Sequence, residues 1–167
     1  NRLSYISYTN NTFIFYFDSY FMKNIIILGA TGSIGDSVLS VIKQNKEKLN
    51  LLGIAFSTNI NKAESIINEF KPKYIFTYSS ESYNHLIHAL GKDTELNILS
   101  EKSELEEILN NDKIDIIVSA ISGFAGLEST LIAAKTGKTI LLANKESIVV
   151  AGEIILPLAK KFNTEII

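Results

Sequence analysis

Three glycines spaced by threes follow a short apolar run near the start of this 167-residue chain. The run is Ile-Ile-Ile-Leu at 25–28, and it leads directly into Gly-Ala-Thr-Gly-Ser-Ile-Gly at 29–35. A strand, a glycine turn and a helix start in this order let backbone amides approach a pyrophosphate closely. We therefore predict a dinucleotide site at this junction. Its predicted contacts are Gly29, Thr31, Gly32, Ser33, Ile34 and Gly35.

Two alternatives to a dinucleotide site can be weighed from the same segment. A nucleoside-triphosphate loop needs Lys and then Ser or Thr directly after its last glycine, whereas Asp36 follows here. That argues strongly against a triphosphate cradle. The other alternative is a glycine-rich turn without a ligand. The strand before the glycines, the helix after them and their position at the start of the fold favour the dinucleotide.

The end of the second predicted strand indicates which dinucleotide binds. NAD enzymes usually carry a carboxylate there, which accepts a hydrogen bond from the ribose 2′-hydroxyl. This chain has Ser57-Thr58-Asn59 instead, with Lys62 one turn further on. Hydroxyls and an amide can donate to a 2′-phosphate, so we predict NADP rather than NAD, with Thr58 and Asn59 as contacts. The same three residues also suit the N-cap of a helix beginning near Ile60, and both roles are compatible.

A second polar cluster, Asn144-Lys145-Glu146-Ser147, directly follows the predicted strand 139–142. Ligands bind open parallel sheets at the carboxyl ends of the strands. An amide, an ammonium and a carboxylate there suit a ribose, an anionic substrate and a hydroxyl. The alternative is a capped helix, with Asn144 as N-cap, Glu146 in the first turn and Lys145 in solvent. The small residues at 119–126 indicate either room for a nicotinamide ring or a simple glycine turn.

Alternating strands and helices must position these segments. Apolar runs predict strands at 24–28, 51–56, 74–78, 96–99, 114–120 and 139–142. Apolar residues at helical spacing lie between them. One predicted helix stripe is Ile34, Val38, Leu39, Val41 and Ile42, and another is Phe124, Leu127, Leu131 and Ile132, whose helix is predicted to end at Gly137 as a C-cap. This pattern predicts an α/β fold that is Rossmann-like and doubly wound, with a mainly parallel sheet and helices on both faces. Residues 22–167 form its single predicted domain.

Composition excludes several classes of partner. The net charge of −2 gives no footprint for nucleic acid or for an anionic membrane surface. There are no cysteines, which excludes disulfides and cysteine-ligated metals and suits a reducing compartment. No apolar run reaches the roughly 18 residues that a membrane-spanning helix needs.

The two ends of the chain differ from the rest. Residues 1–21 hold eight of the 16 aromatic residues and have no glycine or proline. We predict that they are upstream or otherwise non-native sequence and that Met22 is the natural start; an edge strand and a degenerate targeting segment are the alternatives. Residues 164–167 resemble the beginning of a strand, so we expect the sequence to be truncated there.

The two polar motifs together resemble one enzyme family. Gly29-Ala30-Thr31-Gly32-Ser33-Ile34-Gly35 with Leu141-Leu142-Ala143-Asn144-Lys145-Glu146-Ser147 is similar to 1-deoxy-D-xylulose 5-phosphate reductoisomerases, and the match runs from Met22 to Ile167. The family rearranges its phosphorylated ketose substrate and reduces the product with NADPH to 2-C-methyl-D-erythritol 4-phosphate, in non-mevalonate isoprenoid synthesis. The second motif is the more specific of the two.

The resemblance implies roles for particular residues. Thr31, Gly32, Ser33 and Ile34 would contact the NADPH phosphates. Asn59, Asn144 and Glu146 would be further cofactor contacts, and Lys145 a substrate contact. The family's Gly-Lys or Gly-Arg before the first of these asparagines is replaced here by Ser57-Thr58. This departure weakens the usual grip on the 2′-phosphate.

The resemblance also implies what the parent protein has and this chain lacks. The family uses a divalent cation, Mg²⁺ or Mn²⁺, whose carboxylate ligands begin just after the point where this sequence ends. We therefore expect no catalytic or metal-binding residues in the chain and no turnover by it. The full-length protein is expected to be a homodimer, cytoplasmic in a bacterial source or in a plastid-type organelle in a eukaryotic one.

Two other functions remain open at this point. Another NADP-dependent two-domain dehydrogenase, such as a homoserine dehydrogenase, shares the glycine loop but does not predict Asn144-Lys145-Glu146-Ser147. A non-catalytic module that senses NADP would keep Gly29 to Gly35 and would have no need of the second motif.

Overall fold

The computed structural model describes residues 22–90, 95–143 and 145–167, with Lys145 by its backbone alone, and the backbone of residues 5–9 and 12–16. The latter two segments are strands β1 (Tyr5–Thr9) and β2 (Thr12–Tyr16), which pair antiparallel in a two-stranded sheet of their own. Neither strand is an edge of the main sheet, so that alternative for residues 1–21 is wrong for the described part of the segment.

The main sheet has seven strands, in the order β6-β5-β4-β3-β7-β8-β9, and every pair is parallel. Its strands are β3 (Lys23–Leu28), β4 (Leu49–Phe56), β5 (Tyr74–Thr77), β6 (Asn97–Leu99), β7 (Ile116–Ser119), β8 (Thr139–Leu142) and β9 (Glu165–Ile166). The helices are α1 (Ser33–Gln44), α2 (Ile60–Phe70), α3 (Ser80–Leu90), α4 (Lys102–Asn110), α5 (Leu127–Ala133) and α6 (Lys145–Lys161). The predicted α/β, Rossmann-like, doubly wound fold is confirmed.

The strand order creates a switch point between β3 and β7. From β3 the chain builds outward through β4, β5 and β6, and it then returns to the other side of β3 to add β7, β8 and β9. Because all strands are parallel, their carboxyl ends meet at one edge. In register, Leu28 lies opposite Ala55 on one side and Ser119 on the other. The segments that follow β3, β4 and β7 therefore start side by side at the switch point, where ligands bind such sheets.

Helices cover both faces of the sheet, so its central strand is buried on both faces. In β3, Ile25 and Ile27 pack into the cluster that includes α1, α2 and α3, whereas Ile26 and Leu28 pack into the cluster that includes α4 and α5. Side chains of a strand alternate between faces, so residues 25–28 of this strand must all be apolar. No helix within the described stretches is both long and apolar enough to cross a bilayer.

The region around Gly137 differs from the prediction. The helix α5 ends at Ala133, and Gly137 lies in the later turn into β8, so its predicted role as a C-cap is wrong. Its φ of +70° and the hydrogen bond from its N–H to Thr164 Oγ1 (2.9 Å) adapt it to that turn. Since the partner lies 27 residues away, local sequence carried no sign of this role. The predicted strand at the end of the chain is confirmed as β9.

An ion pair at the amino edge of the sheet yields a stability prediction. Asp115 accepts hydrogen bonds from Lys23 Nζ (2.8 Å) and from the backbone N–H of Asn24 (2.9 Å), and the Lys23 side chain is only 13% exposed. Asp115→Ala leaves that largely buried ammonium without its partner. We expect a loss of about 1–3 kcal/mol in the free energy of unfolding, measured by urea denaturation.

The exposed pair Lys43–Glu69 provides the control for that measurement. Glu69→Ala should change the free energy of unfolding by less than about 1 kcal/mol, because exposed ion pairs contribute little. If both variants lost the same free energy of unfolding, the pair of Asp115 with Lys23 would contribute no more to stability than an exposed ion pair.

Candidate functional site

Gly29 makes the turn that brings the end of β3 against the end of β7. Its φ is +89°, and a Cβ placed on it would lie 2.7 Å from the carbonyl oxygen of Ala120. Its N–H and that of Ala30 both donate to the carbonyl oxygen of Ala55 in β4, at 2.8 and 3.0 Å. The loop is therefore tied to both neighbouring strands, and only glycine combines this φ with this close approach.

Gly35 allows the first turn of α1 to pack on the loop before it. A Cβ at this position would overlap the carbonyl group of Ala30 and would lie 2.9 Å from its Cα. The glycine is buried, and its φ is not positive. Position 35 therefore requires glycine because of close packing against Ala30 and not because of its backbone conformation.

Gly32 differs from both because the protein itself does not require a glycine there. It is the N-cap of α1 in an extended conformation, with φ −85° and ψ 173°. A Cβ would meet Gly29 O at 3.4 Å and Ala120 O at 4.0 Å, which are ordinary contact distances. Residue 32 is exposed at the switch point. A side chain would thus fit within the fold, yet it would fill the space in front of the helix.

The amino end of α1 presents backbone donors to that space. The first helical hydrogen bond runs from the N–H of Asp36 to the carbonyl of Gly32 (3.1 Å), and Gly32 offers no side-chain cap. The amides of Ser33, Ile34 and Gly35 precede that bond, so they have no partner within the helix. Thr31 lies beside them, half-buried, and Ser33 is exposed. Backbone donors and hydroxyls at a positive helix end suit a phosphate.

The segment after β4 lies next to this helix end and is open to solvent. Ser57, Thr58 and Asn59 are all exposed. Asn59 Oδ1 accepts a hydrogen bond from the N–H of Lys62 (3.2 Å), and α2 begins at Ile60, so the predicted N-cap is confirmed. The predicted cofactor contacts of Thr58 and Asn59 stay predictions. Because Thr58 is exposed, the fold does not need its side chain for packing.

An ion pair between α1 and α2 was not foreseen from the sequence. Lys62 Nζ lies 2.6 Å from Asp36 Oδ2, with the two side chains 30% and 55% exposed. Both residues belong to the first turns of their helices, so the pair spans the gap between the glycine loop and the end of β4. The residues are 26 positions apart, and only the parallel pairing of β3 with β4 brings them together.

The second polar motif begins at the same edge of the sheet. The N–H of Ala143 donates to the carbonyl of Ser119 (3.0 Å), which aligns the end of β8 with the end of β7. Asn144 lies outside the described residues, and so does the side chain of Lys145, where α6 begins. Glu146 is exposed in the first turn of α6. The described part of the motif therefore starts at the carboxyl edge of the sheet, next to the end of β7, and the predicted roles of these three residues stay predictions.

The segment between β7 and α5 combines a buried, hydrogen-bonded serine with an exposed loop. Ser119 is buried and its hydroxyl lies 2.9 Å from that of Thr130. Gly123 has a φ of +69° with open space where a Cβ would stand, and Phe124 is 72% exposed. Phe124 forms a short 3-10 turn rather than part of the predicted apolar helix stripe. The glycine turn is thus present and leaves room at the edge.

Tyr78 adds a neutral donor at the end of β5. Its ring packs edge-on against Phe76, with centroids 4.9 Å apart. Burial raises the pKa of Tyr78 to about 12, opposed by a hydrogen bond with Ser129 and assisted by the charge of Glu128. Since 43% of the residue is still exposed, water offsets part of that burial. The phenol is therefore protonated at neutral pH.

The described residues contain no group of three or more His, Asp or Glu side chains that could hold a metal ion. The exposed carboxylates in first helical turns at this edge lie on four different helices: Asp36, Glu81, Glu128 and Glu146. What the described site offers is a set of donors for an anionic cofactor, and no step through a metal follows from these residues.

The sequence matches one protein-family model over residues 25–152, a range that contains both motifs. That model describes 1-deoxy-D-xylulose 5-phosphate reductoisomerase. The chain belongs to the 1-deoxy-D-xylulose 5-phosphate reductoisomerase family. The family resemblance drawn from the two motifs is thereby confirmed.

Curated reductoisomerases align with most of this chain. The protein of Vesicomyosocius okutanii is 40% identical over 146 residues, and that of Clostridium botulinum (strain Eklund 17B) is 41% identical over 147 residues. Each alignment covers 87% of this chain and 38% of the relative. The chain thus spans little more than a third of the length of the curated relatives that it matches.

Solved structures agree with this assignment. A reductoisomerase in complex with NADPH, fosmidomycin and magnesium superposes with a TM-score of 0.79 at 40% identity, over 87% of this chain and 36% of that one. The Zymomonas mobilis reductoisomerase in complex with NADPH gives 0.78 at 30% identity, over 87% and 38%. A homoserine dehydrogenase from Thiobacillus denitrificans gives 0.58 at 20% identity, over 86% and 28%, which shows a shared fold alone.

Proposed function

We propose that residues 22–167 are the NADPH-binding portion of a 1-deoxy-D-xylulose 5-phosphate reductoisomerase. The observation that carries the proposal is Gly32, a helix N-cap without a side chain in a place where the fold has room for one. Such a glycine serves a ligand that must come close to the backbone. Two reductoisomerase structures solved with NADPH share the fold of this chain, which supports the same assignment.

The site residues have distinct parts in this proposal. The amides of Ser33 and Ile34, with the hydroxyls of Thr31 and Ser33, hold the pyrophosphate against the end of α1. Gly29 and Gly35 shape the loop so that Gly32 faces the phosphates. Thr58 and Asn59 lie at the adenosine end of the site.

The second motif serves the other end of the cofactor. Asn144 and Glu146 are the proposed contacts there, and Lys145 the proposed substrate contact. The start of α6 at the carboxyl edge beside β7 supports these roles, because ligands lie along that edge.

The whole protein would rearrange 1-deoxy-D-xylulose 5-phosphate and reduce the product to 2-C-methyl-D-erythritol 4-phosphate. NADPH supplies the hydride for that reduction. Magnesium accompanies the reductoisomerase in related structures, and we propose that its ligands here are outside the described residues. We further propose that the 167-residue chain does not turn over substrate by itself, since it spans 38% of its relatives.

Finer features of the proposal concern partners and location. We propose a homodimer for the full-length protein, without a nucleic-acid partner, in keeping with a net charge of −2. We also propose the cytoplasm of a bacterial source, or a plastid-type organelle of a eukaryotic one. The absence of cysteine suits the reducing conditions of either.

Titration of the chain with NADPH and with NADH, followed by nicotinamide fluorescence, tests the proposal. We expect saturable binding of NADPH, at least about tenfold tighter than that of NADH, because no carboxylate ends β4 to accept the 2′-hydroxyl. Failure of both nucleotides to bind would overturn the assignment. Tighter binding of NADH would overturn the choice of NADPH alone.

A further inference from the structure

We propose that Lys62 is the residue of this chain that selects the 2′-phosphate of NADPH, and that it also neutralises Asp36 in the unliganded site. The inference rests on the proposed function and goes beyond it, because it assigns the cofactor preference to one ion pair. The pair joins the first turns of α1 and α2, where the two helices flank the carboxyl ends of β3 and β4.

The position of Lys62 gives the first argument. In strand–helix units of this kind, the residues at the end of the second strand and in its following turn distinguish a ribose 2′-hydroxyl from a 2′-phosphate. Lys62 is the only basic residue between positions 49 and 70. The residues nearest the strand end, Ser57 and Thr58, carry no charge. Within β4, the turn after it and α2, Lys62 is therefore the residue that can offer a cation to a phosphate.

The present partner of Lys62 gives the second argument. Its ammonium lies 2.6 Å from Asp36 Oδ2, so the side chain already reaches across toward the glycine-loop helix. The lysine side chain is 30% exposed and the aspartate 55%, so both charged groups remain accessible to a ligand. An arriving phosphate can share the ammonium, which has three donors, without displacing a packed side chain.

The chemistry of Asp36 gives the third argument. A carboxylate near this ribose is what NAD enzymes use to accept the 2′-hydroxyl, and the same charge repels a 2′-phosphate. Asp36 is the only acid in the first turns of α1 and α2. Its ion pair with Lys62 cancels that repulsion and occupies the acceptor. With the Asp36 charge neutralised by Lys62, a phosphate can bind here although the segment holds an acid.

Lys62→Gln tests the proposal in the full 167-residue chain. We expect its dissociation constant for NADPH to rise about 10- to 30-fold, since one charge-assisted hydrogen bond in a half-exposed place is lost. Binding of NADH should be unchanged or tighter, because the released Asp36 carboxylate can accept the 2′-hydroxyl. The same comparison made with 2′,5′-ADP and 5′-ADP isolates the 2′-phosphate from the nicotinamide.

Lys43→Gln is the matched control. Lys43 pairs with Glu69, so this variant removes an ion pair between the same two helices, but at their opposite ends. It should leave the affinity for each nucleotide within about twofold of the wild type. Both variants should melt within about 2 °C of the wild type, because exposed pairs contribute little stability.

Asp36→Asn provides an independent second variant. Removing the carboxylate while keeping the side-chain shape should tighten NADPH binding about threefold at low salt, because a repulsive charge is lost and Lys62 is released to the ligand. The gain should shrink as ionic strength rises. Weaker NADPH binding by this variant would overturn the role given to Asp36.

The outcomes separate this inference from the proposed function. If the wild-type chain binds neither nucleotide, the proposed function fails and this inference fails with it. If the wild type prefers NADPH and Lys62→Gln retains that preference in full, the role of Lys62 is wrong and the proposed function stands. Equal losses of NADPH and NADH binding in Lys62→Gln would also overturn the role, since a structural effect does not distinguish the two.

Discussion

Replacing Gly35 with alanine should lower the free energy of unfolding by about 3 kcal/mol and abolish cofactor binding with it. The added Cβ would overlap the Ala30 carbonyl and stand 2.9 Å from the Ala30 Cα, closer than Cβ atoms pack in proteins. Ala30 cannot retreat easily, because its N–H donates to the carbonyl of Ala55 in the adjacent strand (3.0 Å). Overpacking against a fixed backbone is among the larger single-residue losses. Urea denaturation measures the loss.

Gly152→Ala is the control for that variant. Gly152 lies inside α6, and its Cβ would meet Ile148 Cγ2 at 3.4 Å, an ordinary contact. Gly152 directly follows Ala151, whose φ of −135° and ψ of 21° interrupt the helix, so helix propensity has little effect there. Since the methyl group meets no close contact, the stability of this variant should stay within about 1 kcal/mol of the wild type. If Gly35→Ala proves as stable as Gly152→Ala, the close packing of α1 on the glycine loop is not what fixes residue 35.

Gly32→Ala should weaken NADPH binding by about 30-fold or more while the chain stays folded. The methyl group has room beside Gly29 and Ala120, so it strains nothing in the protein itself. It would instead stand where we propose that the pyrophosphate contacts the end of α1, and a clash of one methyl group there amounts to about 2 kcal/mol. Isothermal titration with NADPH, alongside a urea denaturation curve, measures both effects.

The two glycine variants should differ in their main defect: Gly35→Ala should lose stability, whereas Gly32→Ala should stay folded and lose affinity for the cofactor. Alanine is a poorer N-cap than glycine, so Gly32→Ala should cost about 1 kcal/mol at most in stability. Because the methyl group acts on the pyrophosphate, NADPH and NADH should lose affinity alike, in contrast to Lys62→Gln. If Gly32→Ala bound NADPH with full affinity, the space at Gly32 would not be where the pyrophosphate binds. The main support for the proposed function would then be lost.

Much of the fold follows from short-range patterns in this chain. Ile25 to Leu28 must be a buried strand because four apolar residues leave no polar face, and the structure buries all four completely. The helical spacing of Val38, Leu39 and Ile42 predicted the buried face of α1 correctly. The N-cap at Asn59 depended on three residues of local sequence and was also correct.

The errors arose where distant segments meet. Gly137 was assigned to a helix end because glycine commonly ends helices, yet its N–H bonds to Thr164 in a turn that the fold creates. Phe124 was assigned to an apolar helix face and proved to be exposed in a short 3-10 turn. Periodicity alone cannot show that a neighbouring element is too far away to cover a side chain.

What the sequence determined by itself is the chemistry that the chain carries. The glycine spacing at 29–35, the absence of an acid at 57–59 and the polar run from 144 to 147 predicted a parallel α/β domain of the reductoisomerase family. Those signals are local: they reflect backbone conformation, side-chain charge and strand or helix periodicity, which neighbouring residues largely fix.

What only the tertiary structure decided is the task of each residue within that chemistry. The sequence shows three alike glycines, whereas contacts across the sheet require glycine at 29 and 35 and leave 32 unexplained by the fold. In the same way, Lys62 meets Asp36 only because β4 pairs beside β3. The physical reason is that packing and charge pairing depend on distances across the strand order, and residues far apart in sequence set those distances.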